Sequence, residues 1–274
     1  MNKNLENQAN AVNVEQLCCQ VCGVTKSVGA WMRGELGKVR THDISDKSLN
    51  NLVSYVDKTA ETKLVAALTE FLPASQILAE EGTKVAASDS AFTWIIDPLD
   101  GTTNFIHQIP FFSISIALQR NDELVLGVVY NIMLDELFYA WEGSAAYLNG
   151  HEIRVSETLN CQDSLLATGF PYYQFDKAAN YMRVFTELMQ NSRGIRRLGS
   201  AALDLAYTAC GRFDAYFEYN LQPWDIAAGA FLVQQAGGIV SDFQGGNTFI
   251  SGSEILATNS RLHQPLLTVL KTHF

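Results

Sequence analysis

One stretch limits the architecture of this chain more than any other: an apolar strand, Trp94-Ile95-Ile96, runs straight into Asp97-Pro98-Leu99-Asp100-Gly101-Thr102-Thr103-Asn104-Phe105. Pro98 fixes its own φ and holds Asp97 extended, while Gly101 frees the backbone to turn just before two hydroxyl side chains. The strand therefore ends in two carboxylates three residues apart, with a backbone carbonyl and hydroxyls at hand. Such a turn can hold a metal ion. An isolated Asp-x-x-Asp-Gly is more often a turn whose aspartates cap backbone amides, so the surrounding residues decide.

The surroundings are organised in two textures. Residues 12–36 and 52–72 carry apolar side chains three and four apart, the spacing of two amphipathic helices. From residue 76 to about 148 the chain changes to short β-rich runs, at 92–96, 111–118, 124–130 and 137–141, which predicts an antiparallel sheet covered by those helices. Beyond Asn149-Gly150, strands near 164–168, 214–218 and 238–240 alternate with helices near 178–189, 200–210 and 225–235, an α/β pattern. The expected division is an α+β half, 1–148, with the antiparallel sheet and most candidate metal ligands, and an α/β half, 149–274, packed together as one unit.

Charge narrows the partners. Nineteen basic against 29 acidic residues give a formal net charge of −10, unsuited to a nucleic-acid backbone or an anionic membrane, so neither is expected as a partner. A phosphate-bearing substrate would need cations or a helix amino terminus to offset that field. No basic-then-apolar leader opens the sequence and no run approaches the ~18 apolar residues of a membrane span, which predicts a cytoplasmic protein. The five cysteines are an odd number, which suits a reducing compartment. Three of them, Cys18, Cys19 and Cys22, fall within a helical pattern and are expected to be structural.

Two further acidic clusters fit the opening turn. Asp225 opens a helix in Trp224-Asp225-Ile226-Ala227-Ala228-Gly229-Ala230, where it can serve as a cap, or the small residues behind it can let the carboxylate approach a metal held elsewhere. Glu80-Glu81 follows the apolar run Ile77-Leu78-Ala79, and on an extended backbone only one of the pair can face a given site. Glu80 and Asp97 both end strands of one expected sheet, so they can lie at neighbouring strand ends.

Taken in order, Glu80-Glu81, the Asp97–Phe105 turn, Trp224-Asp225 and Ala236-Gly237-Gly238 resemble the inositol monophosphatase family of magnesium-dependent, lithium-sensitive phosphatases. The likeness extends to the helix carrying Asp57, to Gly127-Val128-Val129-Tyr130, to residues 194–201 and to Asp214–Glu218, nearly the whole chain. Ala79 replaces a glycine usual before the acidic pair and Gly82 a serine or threonine, and neither change removes a ligand. The polar segment 38–50, Lys47 included, receives no role. His107 is a poor match for Mg²⁺ and is expected to be packed or at an interface.

The resemblance implies a layered αβαβα sandwich of the inositol monophosphatase and fructose bisphosphatase type. It implies two or three Mg²⁺ ions per active site, with Glu80, Asp97, the carbonyl of Leu99, Asp100 and Asp225 as ligands. Oxygen donors suit that hard cation. Asp57 and Thr102 would be catalytic, orienting an activated water for in-line attack on phosphorus. Asp100, Gly101, Thr102, Gly199, Ser200, Ala201, Glu218 and Asp225 would contact substrate, with Glu218 accepting hydrogen bonds from hydroxyls of the alcohol. The function implied is hydrolysis of inositol monophosphate, a small phosphate ester, by a homodimer. The same chemistry on histidinol phosphate, fructose 1,6-bisphosphate or 3′(2′),5′-adenosine bisphosphate is the enzymatic alternative. A regulatory or binding protein on the same fold is the non-enzymatic one.

Overall fold

Helical spacing near the N-terminus folds as the sequence predicts. Helix α1 (Val14–Glu35) starts at Asn13, whose side chain accepts from the Gln16 amide at 3.0 Å, and buries Val14, Leu17, Cys18, Val21, Val28 and Met32. Cys18 is buried on this face, Cys22 half-buried and Cys19 exposed, and all are free thiols. The structure is a computed structural model describing residues 12–48, 51–85, 90–171, 176–252 and 254–274. In the segment 38–50, β1 (Ser45–Ser48) pairs antiparallel with β2 (Asn51–Val53), and residues 49 and 50 lie outside the described residues.

Helix α2 (Tyr55–Phe71) begins in a capping box. The Ser54 hydroxyl accepts from the Val56 amide, while Asp57 accepts from the Ser54 amide at 2.9 Å. Helices α1 and α2 cover one face of an eight-stranded sheet. Its strands are β3 (Gln76–Ala79), β4 (Lys84–Val85), β5 (Phe92–Asp100), β6 (Ser113–Arg120), β7 (Glu123–Asn131), β8 (Glu136–Trp141), β9 (Ala146–Leu148) and β10 (His151–Ile153). They lie in the order β10-β9-β8-β7-β6-β5-β3-β4, so this sheet runs past the expected division at 148 as far as Ile153.

The sheet is not antiparallel throughout, which corrects the sequence expectation. β3 and β5 pair in parallel, Ala79 opposite Ile96, because β4 folds back on β3 before the chain enters β5. Parallel neighbours end at the same edge of a sheet. The Glu80 amide accordingly donates to the Ile96 carbonyl at 3.2 Å, and Glu80 sits beside Asp97.

A short helix, α3 (Thr102–Ile106), follows β5. The second half supplies β11 (Leu165–Thr168), α4 (Ala178–Gln190), β12 (Gly194–Arg196), α5 (Ala201–Ala209), β13 (Ala215–Tyr219), α6 (Pro223–Gln235), β14 (Ile239–Ser241), β15 (Glu254–Thr258) and α7 (His263–His273). Its five strands form a mixed sheet in the order β12-β11-β13-β15-β14, parallel on either side of β11 and antiparallel on either side of β15.

Helices α5 and α6 lie between the two sheets, and α4 and α7 cover the outer face of the smaller one. The result is the expected αβαβα sandwich. Close approach in the central layer needs the small residues of α6: a Cβ on Gly229 would stand 2.4 Å from the Leu205 Cβ, and one on Gly127 2.8 Å from the Ala228 carbonyl. No helix among the described residues is long and apolar enough to cross a membrane.

Candidate active site

The opening turn gains its geometry from an irregularity in β5. Opposite β6, Asp97 faces Ser115 and Asp100 faces Ser113, three steps on one strand against two on the other. Residues three apart on a regular strand point to opposite faces, and the extra residue brings both carboxylates to one side. Pro98, which has no N–H to give to a ladder, lies within the irregularity. Gly101 then adopts φ 98°, where a Cβ would press on the carbonyls of Phe111 and Gly199 at 3.1 and 3.2 Å.

Each carboxylate is held by its own partners. Asp97 accepts from the Leu99 amide at 2.9 Å. Asp100 accepts from the Ser200 hydroxyl at 2.6 Å and the Ala202 amide at 2.7 Å, so the start of α5, expected to face substrate, is partly taken by Asp100. Asp225 sits in the first turn of α6 behind Pro223 and accepts from the Gln222 amide at 2.6 Å. The Thr102 hydroxyl lies 2.9 Å from Asp57 and 3.1 Å from the Leu99 carbonyl. The Ser54 hydroxyl donates to the other oxygen of Asp57 at 2.7 Å.

Electrostatics mark the same residues. Burial first, then the facing carboxylates of Glu80, Asp100 and Asp225, hold Asp97 well above the usual carboxylate range. Burial likewise raises Asp225 far above it. Asp100 is pushed up to about 6 by burial, against the pull of the Ser200 and Ala202 hydrogen bonds. Asp57 is raised by burial and restrained by its bonds from Ser54 and Thr102.

The predicted residues Glu80, Asp100, Gly101, Thr102 and Asp225 line one cavity of about 260 Å³. Gly199, Ser200, Ala201 and Glu218 line it as well, whereas Asp57, Asp97 and Leu99 are buried behind the wall. Among the described residues the lining includes carboxylates, hydroxyls and amides but no thiol or imidazole. No three His, Cys, Asp or Glu side chains among those residues close into a ready-made cage. Mg²⁺ does not require one: it binds through one or two carboxylates and completes its shell with water and substrate oxygens. Mutually repelling, buried oxygen donors are what such a cation would stabilise, so the residues fit the ion.

Glu218 lies on β13, where burial pushes it up to about 7 while it accepts from the Tyr216 hydroxyl. Gly169, just after β11, makes room for it: a Cβ there would stand 1.9 Å from Glu218 Oε2. Two other residues were not found from sequence. Glu61, buried on α2 one turn after Asp57, accepts from the amides of Glu81 and Thr83 at 2.7 and 3.0 Å and thereby fixes the loop that carries Glu80. Its spacing of four from Asp57 was the available signal. Asn104 donates to the carbonyls of Phe111 at 2.7 Å and Leu198 at 2.8 Å, joining the turn to the connection between β12 and α5. His107 is exposed rather than packed.

Comparison with known proteins shows the family of the chain. The model of the inositol monophosphatase family matches residues 13–273. The chain is 42% identical over 252 residues to the Nus factor SuhB of Pseudomonas aeruginosa, covering 90% of this chain and 93% of that one. It is 40% identical over 243 residues to the inositol-1-monophosphatase of Mesorhizobium japonicum, covering 89% and 91%. The solved inositol monophosphatase of Anabaena (Nostoc) sp. PCC 7120 superposes with a TM-score of 0.85 at 36% identity, covering 96% of this chain and 98% of that one.

Proposed function

This chain belongs to the inositol monophosphatase family, and we propose that it is a Mg²⁺-dependent phosphomonoesterase that hydrolyses inositol monophosphate to inositol and phosphate, working in the cytoplasm as a homodimer. One observation carries the reading: the carboxylates of Glu80, Asp100 and Asp225 line a single cavity, with Asp97 buried behind it in their combined field. Glu80, Asp97, the Leu99 carbonyl, Asp100 and Asp225 would hold two or three Mg²⁺ ions, which supply Lewis-acid activation of water and charge neutralisation at the phosphate.

The chain's own residues manage the proton and the alcohol. The Thr102 hydroxyl lies within donating distance of Asp57 at 2.9 Å, which leaves its oxygen lone pairs free to accept from an attacking water. A proton can therefore pass from water through Thr102 Oγ1 to Asp57, whose raised pKa makes it a better acceptor than an ordinary carboxylate. Ser200 keeps Asp100 in place, and Glu218 accepts from a hydroxyl of the leaving alcohol.

The test is phosphate release from myo-inositol 1-phosphate, histidinol phosphate, fructose 1,6-bisphosphate and 3′,5′-adenosine bisphosphate, with and without Mg²⁺ and Li⁺. Mg²⁺-dependent, Li⁺-inhibited release with preference for the inositol ester is expected. Preference for another ester keeps the chemistry and overturns the substrate. Release from none of them favours the regulatory reading, whose one supporting observation is the name Nus factor carried by the Pseudomonas relative.

A further inference from the structure

Glu218 is not the only acid on the alcohol side of the cavity. Asp204, in the first turn of α5, is 2% exposed and lines the same cavity. Its Oδ1 is buried with no hydrogen-bond donor among the described residues. Buried carboxyl oxygens are ordinarily satisfied, and leaving one bare is costly.

The ordinary use of an acid in a first helical turn does not account for it. Ser200 already caps α5, its hydroxyl accepting from the Leu203 amide at 3.3 Å, and the Ala202 amide is given to Asp100. The Asp204 backbone is fully engaged, its amide with the Ser200 carbonyl and its carbonyl with the Thr208 hydroxyl, so the helix fixes where the side chain starts. Asn220 supplies the complement. It lines the same cavity in a left-handed conformation, φ 64°, and its Nδ2 is buried without an acceptor.

One cavity thus holds an unanswered acceptor and an unanswered donor. A hydroxyl matches both in kind, since it donates and accepts. An ammonium group, which only donates, would match Asp204 alone and leave the Asn220 amide without an acceptor. We propose that Asp204 determines specificity by accepting a hydrogen bond from a second hydroxyl of the leaving alcohol, beside the one taken by Glu218, and so selects an uncharged polyol over an amino alcohol. The proposal rests on the phosphomonoesterase reading above.

Purified wild type, Asp204→Ala and Asp204→Asn are assayed in Mg²⁺ on myo-inositol 1-phosphate, on cyclohexyl phosphate, which keeps the ring and lacks the hydroxyls, and on histidinol phosphate. The ratio of kcat/KM for the inositol ester to that for the cyclohexyl ester is expected to fall about tenfold or more in Asp204→Ala. Asp204→Asn, which keeps an acceptor oxygen in the same volume, retains most of the ratio.

A ratio that changes by less than about twofold, or an equal fall on both esters, overturns the assignment while leaving the phosphatase reading intact. Wild-type preference for histidinol phosphate overturns the polyol selection. Failure to cleave any ester overturns both readings together. Should Asp204→Ala not fold, wild type on monodeoxy inositol 1-phosphates decides: removal of at least two different hydroxyls must each lower kcat/KM, and sensitivity to only one refutes the proposal.

Discussion

The two walls of the cavity treat their polar groups differently. On the turn side, Asp57, Asp97, Asp100 and Asp225 each accept hydrogen bonds from within the chain, between 2.6 and 2.9 Å. On the alcohol side, Asp204 and Asn220 keep buried polar atoms without partners, and Glu218 owes its place to the missing side chain of Gly169. The first wall is arranged in advance, as fixed chemistry requires. The second is left open where a ligand has to complete it.

The largest effect should come from disturbing the arranged wall. Asp100→Asn keeps the shape of the side chain but loses a charge that the Ser200 and Ala202 donors are placed to hold. Phosphate release at saturating Mg²⁺ should fall by roughly 10²–10³ with the fold retained by circular dichroism. A wild-type rate would remove Asp100 from the machinery.

The open wall should respond more mildly and more selectively. Gly169→Ala places a methyl group where the Glu218 carboxylate now lies, 1.9 Å from Oε2. The carboxylate must move, and KM for inositol 1-phosphate should rise about tenfold while kcat changes little. A fall in kcat with KM unchanged would mean that the two walls are not separable.

The smallest effect is on stability and depends on pH. Folding raises Asp100 to about 6, above the unfolded value of roughly 3.9, so the metal-free protein is favoured at low pH and loses that stabilisation as pH rises through 6. Asp97 and Asp225 shift in the same direction. Mg²⁺ should offset the charge that appears, raising Tm by a few degrees more at pH 7 than at pH 5, as read by calorimetry. Equal shifts at both pH values would show that the carboxylates do not meet the ion.

The same contrast decides what could be read from sequence. The turn was legible because Asp97, Pro98, Asp100, Gly101 and Thr102 are contiguous and carry their own backbone instructions. Asp225 was legible because the small residues after it announced the close packing that Gly229 and Leu205 make. Asp204 was not, since an acid in a first turn looks like a helix-end charge until Ser200 and Asp100 are seen to fill that role. Gly169 was silent because its meaning lies in β13, 49 residues away, brought alongside by the pairing of Thr168 with Phe217. The parallel pairing of β3 with β5 was hidden by strand length: four residues of β3 do not reveal direction. β12, β15 and α7 were not anticipated, and β12 spans only three residues.

Asn104 gives this site a property of a lock that needs two keys. Its amide holds one carbonyl ahead of β6 and another, Leu198, ahead of α5, so the grip closes only when the segments bearing them have met. A chain with the larger sheet formed but the second half undocked would carry Asp97 and Asp100 without the Ser200 and Ala202 donors or the Asp225 carboxylate. Catalytic competence would then arrive last, as a readout that assembly is complete.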